Sequence, residues 1–383
     1  FEHAVILICA HGPDHAMGLR LDRPAQGIDP TDDEYDAVVA SGEQVTAGLL
    51  ALTLRNMGLR ARSWMGWQIP ILTDDQHGKA RIIDIPGEAL GLAVDGGEIA
   101  VVPGFQGVTA GGRITTLGRG GSDTSAVAVA AALNCPCDIY TDVDGVYTTD
   151  PRIESRARRL ERISYEEMLE MASLGAKVLQ TRSVELAMAK KVPLRVLSSF
   201  IEPDDHGVLP DKGGTLICDE EEIVEKRIVS GVTMSRDEAR ITLLGLDDRT
   251  DAPADVFTRL AEAGVNVDMI VQSQSRTEGA VNLTFTTGRR DAPRAAELMR
   301  AAQTDIGFQE IRLDEDVAKV SVVGVGMRSH AGVAQTMFRA LADKGIKFQA
   351  ISTSEIKISV LIDAAYAELA VRALHSAYGL EAV

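Results

Sequence analysis

Leu117-Gly118-Arg119-Gly120-Gly121-Ser122-Asp123-Thr124-Ser125 runs straight into the apolar stretch 126–133. Three glycines followed by Ser and Asp at the start of an apolar helical run predict a tight loop opening a helix, with Ser122 or Asp123 as its cap. Such a loop gathers free backbone N–H groups and the positive end of the helix dipole at one point, which suits a carboxylate or phosphate. Arg119 adds a planar fork that can grip a carboxylate through two parallel hydrogen bonds. An ordinary capped loop with Arg119 in water is the plainer reading of the same residues.

The surroundings of this loop set the fold class. Short apolar runs at 5–10, 61–64, 80–84, 99–103, 138–141 and 194–198 alternate with helical patterns at 36–56, 123–133, 165–172 and 178–190. That alternation predicts an α/β layer fold with a mainly parallel sheet. Ser164-x-x-Glu167 reads as a capping box that starts the third helix. The stretch 201–226, with Pro203, Pro210, Gly213, Gly214 and the acidic run 219–222, reads as a linker carrying one strand at 215–218.

Beyond the linker the chain repeats itself. Phe257-x-x-Leu260-Ala261-x-x-Gly264-Val265 returns 81 residues later (257 to 338) as Phe338-x-x-Leu341-Ala342-x-x-Gly345-Ile346, and Ile270-x-x-Ser273 returns as Ile351-x-x-Ser354. Each copy reads strand, helix, strand, strand, helix: 239–245, 253–263, 265–272, 280–286 and 293–302, then 318–325, 332–343, 347–352, 356–362 and 365–377. This plan is close to the ferredoxin-like motif, and its edge strands invite side-by-side pairing.

Three further features can carry chemistry. Tyr140-Thr141-Asp142-Val143-Asp144-Gly145-Val146-Tyr147-Thr148-Thr149-Asp150-Pro151-Arg152 follows a strand, so its polar groups project from a sheet's C-terminal edge, where open α/β folds place ligands. Asp142 and Asp144 can orient a divalent ion or a ribose, Tyr147 and Arg152 a base and polyphosphate; an Asx-rich turn that merely ends a strand is the alternative. Lys177, in Gly175-Ala176-Lys177, can neutralise a transferring phosphoryl group or stand as a solvated surface charge. Glu43, in Ser41-Gly42-Glu43-Gln44-Val45-Thr46, interrupts an apolar helix beside a glycine, where a bend can aim a carboxylate inward.

Composition excludes several classes. At 383 residues, 45% hydrophobic and 25% charged with 35 Gly, the chain is a globular protein of two or three domains. With 39 Lys and Arg against 56 Asp and Glu, the net charge of −17 disfavours nucleic acid, so anionic small substrates must be held by local positive features. Cys9, Cys135, Cys137 and Cys218 lack zinc spacing. No secretory signal and no apolar run of about 18 residues are seen, which predicts a cytoplasmic protein with reduced thiols and no membrane partner.

These pieces in this order resemble the aspartate kinases of the amino-acid kinase superfamily, over nearly the whole chain. The motifs are SGEQVT at 41–46, GWQIPILTD at 66–74, HGKARI at 77–82, GFQGVT at 104–109, LGRGGSDTSA at 117–126, IYTDVDGVYTTDPR at 139–152, SYEEMLEMASLGAKVL at 164–179, PLRVLSSF at 193–200, IVSGVT at 228–233 and ISTSEIKISVLI at 351–362, with the tandem repeat standing as two ACT modules. The resemblance implies a three-layer amino-acid-kinase fold over 1–205, a linker at 206–227, and ferredoxin-like (βαββαβ) ACT domains at 228–310 and 311–383. It implies ATP-dependent phosphorylation of the L-aspartate side-chain carboxylate, with Mg²⁺, opening lysine, threonine and methionine synthesis.

Carried over by position, the resemblance puts Arg119, Gly120, Gly121 and Ser122 on the aspartate α-carboxylate, Glu43 and Asp123 on its ammonium, and Thr46, Val94 and Asp95 in the same pocket. ATP falls to Thr141, Asp142, Tyr147, Thr148, Thr149, Asp150, Pro151, Arg152, Ala176 and Lys177, with Lys177 on the phosphates. Lysine or threonine is the implied effector, with Asp248, Asn266, Gln272, Ser352 and Ser354 as contacts, and a homodimer or higher oligomer is implied through the ACT edges. Thr250 and Asp251 stand where relatives commonly show Pro-Gly. The family opens with a strand and a Lys-Phe/Tyr-Gly-Gly-Thr/Ser loop, whereas this sequence starts near the family's second strand and has Ala10, His11 and Gly12 where a Ser is expected. That departure implies an N-terminally incomplete chain with impaired kinase activity; a non-catalytic amino-acid-sensing paralogue or regulatory subunit is the alternative.

Overall fold

The structure, a computed structural model, describes residues 5–8, 31–176, 178–201, 213–223, 228–275, 277 and 279–381. The chain divides into two compact units: Phe1–Val146 with Glu161–Ala172 and Lys177–Val224, and Tyr147–Leu160 with Ser173–Ala176 and Glu225–Val383.

The first unit begins β1 (Val5–Ile8), α1 (Asp33–Asn56), β2 (Ala61–Ser63), β3 (Leu72–Thr73), β4 (Ile82–Asp84), α2 (Glu88–Asp95), β5 (Ile99–Pro103), β6 (Gln106–Val108) and β7 (Ile114–Thr116). It continues with α3 (Gly121–Ala132), β8 (Cys137–Thr141), β9 (Arg162–Ser164), α4 (Tyr165–Ser173), α5 (Thr181–Lys190), β10 (Leu194–Ser198) and β11 (Thr215–Cys218). The strands expected at 99–103, 194–198 and 215–218 form with those bounds; α5 starts three residues later than its pattern, and the expected strand at 80–84 is confined to β4. The two- and three-residue strands β3, β6, β7 and β9 are too short to leave a period-2 signal, and α2 was not anticipated.

Period-2 alternation on the buried strand β5 builds three layers. Ile99 and Val101 pack with Ala47, Ala51 and Leu54 of α1, while Ala100 and Val102 pack with Leu90 of α2 and Ala128 and Val129 of α3. β1 and β2 flank β5 in parallel, and a second sheet, in the order β8-β10-β11-β9, is parallel except between β10 and β11. β4-β3-β6-β7 form a smaller mixed sheet. The capping box forms as read, Glu167 N donating to Ser164 Oγ and Ser164 N to Glu167 Oε2, each at 3.2 Å.

α1 starts earlier than its apolar pattern because Asp32 caps it, accepting from Glu34 N at 2.8 Å, and Asp33, Glu34 and Asp36 favour its positive end. By length and composition this helix could cross a membrane, contrary to the expectation that no such stretch exists. Asp36, Ala40, Glu43, Ala47, Ala51 and Leu54, three or four apart, form its one buried stripe, while Val45, Leu49 and Leu52, which supply much of its hydropathy, lie on the exposed side.

The second unit adds β12 (Gly231–Ser235), β13 (Ala239–Asp247), α6 (Ala252–Glu262), β14 (Val267–Gln274), β15 (Ala280–Thr287), α7 (Ala292–Ala301), α8 (Gln303–Ile306) and β16 (Glu310–Asp314). There follow β17 (Val317–Val323), α9 (Val333–Asp343), β18 (Phe348–Thr353), β19 (Lys357–Asp363) and α10 (Ala367–Ala377). Both repeats close their first helix alike: Gly264 and Gly345 take φ of +69° and +67°, and Val265 N and Ile346 N reach back to Leu260 O and Leu341 O at 2.9 and 3.0 Å. That shared left-handed stop is why the Leu-Ala-x-x-Gly spacing recurs.

Each repeat needs a fourth strand, and each finds it differently. The first takes β16 from its own C-terminal side, giving β14-β15-β13-β16; the second takes β12, which precedes the first repeat in sequence, giving β12-β17-β19-β18. β14 and β18 are the edges of their sheets, and Met269 and Val271 of one pack with Ala350 of the other over Val317 and Leu361. Buried Lys319 of β17 joins the repeats by ion pairs to Glu238, at 2.6 Å, and Asp268.

Candidate active site

The Gly-rich loop lies between β7 and α3, and its glycines are dictated by geometry. Gly120 is the N-cap of α3 at φ +73°, where a Cβ would overlap the Gln180 side chain. The cap expected from Ser122 or Asp123 is therefore not made: no side chain caps α3, and both residues lie in its first turn. Ser122 is only 2% exposed and its hydroxyl has no hydrogen-bond partner among the described residues. Arg119 is exposed and enters no ion pair among the described residues. Asp123 is half-buried.

The Gln106 side chain and the Phe105 backbone N–H bring α1 and α3 to the C-terminal end of β5. Gln44 of α1 donates to Gln106 Oε1 at 2.8 Å and Gln106 Nε2 to Ala40 O at 3.4 Å, while Phe105 N donates to Ser125 Oγ of α3 at 3.1 Å. Glu43, on the same buried stripe as Ala40, is thus held at the end of the sheet where the Arg119 loop opens. Phe105 has φ +69°, a left-handed backbone that a bulky residue adopts only under constraint, and a Cβ on Gly121 would come within 3.1 Å of its ring. Phe105 was not singled out from sequence; the only available signal was the glycine pair bracketing it in GFQGVT.

Sequence reasoning also missed what braces the loop. Asp36 is 0% exposed, and its carboxylate accepts from Gly78 N at 3.1 Å, from Thr116 N at 3.0 Å, from the Thr116 hydroxyl and from His77 Nδ1 at 2.8 Å. Gly78 in turn supports the loop, since a Cβ on Gly118 would lie 2.9 Å from Gly78 O. Arg182 ties both sides, donating to Leu117 O at 2.7 Å and to Ala80 O. α3 turns into β8 within a few residues and packs on it, so Thr141 and exposed Asp142, at the end of β8, emerge on the same side as the start of α3.

Residues 2–198 match the amino acid kinase family, and residues 253–303 and 320–378 each match the ACT domain. Aspartate kinase Ask_LysC of Stutzerimonas stutzeri is 51% identical over 355 residues, 92% of this chain and 84% of that protein; the aspartokinase of Mycolicibacterium smegmatis is 47% identical over 381 residues, 98% and 88%. The chain belongs to the aspartate kinase family. The crystal structure of E. coli aspartokinase III with aspartate and ADP, described as its R-state, superposes with a TM-score of 0.73 at 29% identity, covering 92% of this chain and 77% of that one. The same enzyme with lysine and aspartate, the T-state, gives 0.70 at 29% identity, over 93% and 77%.

Not every position assigned from the aspartate kinase pattern converges on this end of the sheet. Val94 and Asp95 end α2, just before the first residue of β5, while Phe105 follows its last. Five strand residues at about 3.3 Å each put roughly 13 Å between those ends, so the structure does not bring Val94 and Asp95 to the Arg119 loop. The physical reason is that α2 returns to the opposite edge of the sheet before β5 begins. Thr46 donates its hydroxyl to Gly42 O and Glu43 O of its own helix, at 3.0 Å each. Lys177 and Ala10, His11 and Gly12 lie outside the described residues.

The run Tyr147-Thr148-Thr149-Asp150-Pro151-Arg152, expected from the resemblance to contact ATP, opens a turn within the second unit, bridged by Tyr147 and Arg159. Arg152, exposed, grips Asp150 through Nε and Nη2 at 3.0 and 2.7 Å, and this holds the Asp150 carboxyl below its ordinary value. Pro151 is exposed, whereas Thr148 and Thr149 are buried. Ala176, half-buried, lies in the same unit. Of the effector positions, Gln272 and Ser352 lie on the edge strands β14 and β18, Ser354 in the turn after β18 and Asp248 in the loop after β13. Asn266 lines a cavity of about 240 Å³ with Ser173, Ser235, Glu238, Asp268 and Thr287.

Just after this run, Glu154 is 4% exposed and receives Arg156 Nε and Nη2, each at 2.9 Å, which holds its carboxyl down to about 2. Burial pushes the His375 imidazole below its ordinary 6.5. Both shifts are downward, so each group's contribution is complete above its unfolded value and declines as pH falls below it: below about 6.5 for His375, and between about 4.5 and 2 for Glu154. The melting temperature of this unit is therefore expected to fall in two stages on acidification. Arg156→Gln should flatten the lower stage, and an unaltered lower stage in a pH series of melting curves would refute the assignment.

Proposed function

We propose that this chain transfers the γ-phosphoryl group of ATP to the side-chain carboxylate of L-aspartate, giving 4-phospho-L-aspartate, an early step toward lysine, threonine and methionine, in the cytoplasm. The observation that carries the reading is the buried Ser122 hydroxyl in the first turn of α3, which has no hydrogen-bond partner among the described residues and follows exposed Arg119 by three positions. A buried hydroxyl without a partner costs stability unless a ligand satisfies it. An α-carboxylate meets that need: Arg119 grips it bidentately, Ser122 donates to it, and the α3 dipole favours it. Glu43 and Asp123 then receive the α-ammonium.

The nucleophile is already ionised, so no general base is required, and catalysis rests on alignment and charge neutralisation. Thr141, Asp142, Ala176, Lys177 and the run 147–152 are assigned to ATP. Mg²⁺ would be carried on the phosphate oxygens, where it offsets their charge, with Asp142 and Asp144 as candidate carboxylates to orient it. The span 1–205 is assigned to the kinase, although 147–160 and 173–176 fall in the second unit, 206–227 to the linker, and 228–310 and 311–383 to the ACT modules, with β12 lending its strand to the second repeat's sheet and β16 to the first's. These are taken to sense lysine or threonine through Asp248, Asn266, Gln272, Ser352 and Ser354, and to pair between subunits along β14 and β18, whose Ile270, Phe348 and Ile351 are exposed.

Isothermal titration tests the reading. L-aspartate is expected to bind the full chain, and Ser122→Val to weaken it by roughly tenfold or more, because a buried carboxylate loses a donor. A chain that binds lysine or threonine but neither aspartate nor magnesium nucleotide would instead be a non-catalytic sensor.

A further inference from the structure

Two of the segments assigned above to ATP, the run 147–152 and Ala176, belong to the second unit and are built onto the second ACT repeat. Within the second unit, the turn 147–160 is fastened to α10 at several points. Thr148 Oγ1 and His375 Nε2 are 2.9 Å apart, both residues 0% exposed. Arg156 Nη2 donates to Ser376 Oγ at 2.9 Å, Arg156 Nη1 pairs with Glu381 at 3.5 Å, and Arg372 Nη1 donates to Ile153 O at 3.4 Å. Ile153 itself packs into the core formed by Val371 and Leu374 of α10 with β17 and β19.

β12 completes the attachment. Val232 N donates to Thr148 O at 2.8 Å, and Gly175, next to Ala176, packs so closely that a Cβ there would run into Met234 O. The run 147–152 and the stretch ending at Ala176 therefore rest on the strand that the second repeat borrows for its sheet. The Thr148 hydroxyl also accepts from Arg158 N at 3.0 Å, which leaves its own proton for the imidazole. On the far side of the ring, Nδ1 and the Glu381 carboxylate stand 3.6 Å apart, and neither Nδ1 nor Glu381 Oε2 has a hydrogen-bond partner among the described residues. The ring is thus hydrogen-bonded on one side only, and α10 alone sets where it holds Thr148.

We propose that His375 is a positioning residue for the nucleotide: through Thr148 it fixes the turn carrying Thr149, Asp150 and Arg152, so that the placement of α10 in the second ACT repeat sets affinity for ATP and leaves affinity for aspartate untouched. The proposal rests on the assignment of this turn to ATP. It makes the turn part of the regulatory module's own hydrogen-bonded framework, so that any ligand shifting α10 is read out as a change in nucleotide binding.

The test titrates MgADP, and separately L-aspartate, into the full chain and into three variants. His375→Leu removes the ring's acceptor and is expected to weaken MgADP by roughly tenfold. His375→Gln, whose amide reaches the Nε2 position, should recover most of that loss, and Arg156→Gln, which releases a second clasp without emptying the core, should show an intermediate loss. Aspartate affinity stays within about twofold throughout, a split that general destabilisation does not produce. Unchanged MgADP binding in both His375→Leu and Arg156→Gln, or equal losses for both ligands, overturns the proposal. A wild-type chain that takes no MgADP overturns it together with the ATP assignment, which separates the two failures.

Discussion

Arg119→Ala is expected to lower affinity for L-aspartate by roughly a hundredfold, on the order of 3 kcal/mol, while MgADP affinity changes little. Removing one side of a charge-assisted, bidentate contact leaves the α-carboxylate in a site whose remaining donors are Ser122 and the backbone of α3. The guanidinium is exposed and enters no ion pair among the described residues, so the variant should melt like the wild type. Arg119→Lys is the sharper control: a lysine keeps the charge but not the planar fork, and should recover only a minor part of the loss. Wild-type aspartate binding by the lysine variant would show that only a point charge is needed and would remove the carboxylate-gripping role.

Asp36→Ala is expected to produce the largest loss of stability in the first unit. Its carboxylate satisfies two backbone N–H groups, a hydroxyl and a histidine ring at a fully buried point. Emptying that position strands donors that each cost about 1–3 kcal/mol when left unpaired, for a total on the order of 3–5 kcal/mol. For a unit of this size that corresponds to a fall in melting temperature of roughly 10 °C. Asp36→Asn keeps the volume but turns an N–H₂ toward donors, and should lie closer to alanine than to wild type. Because Gly78 lies beneath Gly118, aspartate affinity should fall with it while MgADP affinity does not. A drop of less than about 2 °C in both variants would mean that the four donors find water instead.

The two predictions mark what a sequence pattern singles out and what it does not. Arg119, Ser122 and Glu43 stood out as candidates because a glycine loop before an apolar helix, and a carboxylate on an apolar stripe, are local anomalies with few explanations. Asp36 was not: it stands in an acidic first turn, Asp33-Glu34-Tyr35-Asp36, where a carboxylate needs no further reason than the helix dipole. Only folding brings residues 77, 78 and 116 around it. Val94 and Asp95 failed for the complementary reason, since proximity to the site depends on which end of β5 the chain has reached and no local pattern records that.

By itself the sequence determined the alternating α/β plan, the Ser164–Glu167 capping box, the doubled ACT unit and the loop at 117–125, because each is written in contacts between residues a few positions apart. Tertiary structure alone decided that β12 completes the second repeat's sheet rather than the first, that Gly120 and not Ser122 caps α3, and that the turn at 147–160 is fastened to α10. Strand pairing and the burial of a hydroxyl or imidazole are settled by what arrives from more than 80 or 200 residues away. Backbone hydrogen bonding is indifferent to side-chain identity, so the sequence carries no local mark of those choices.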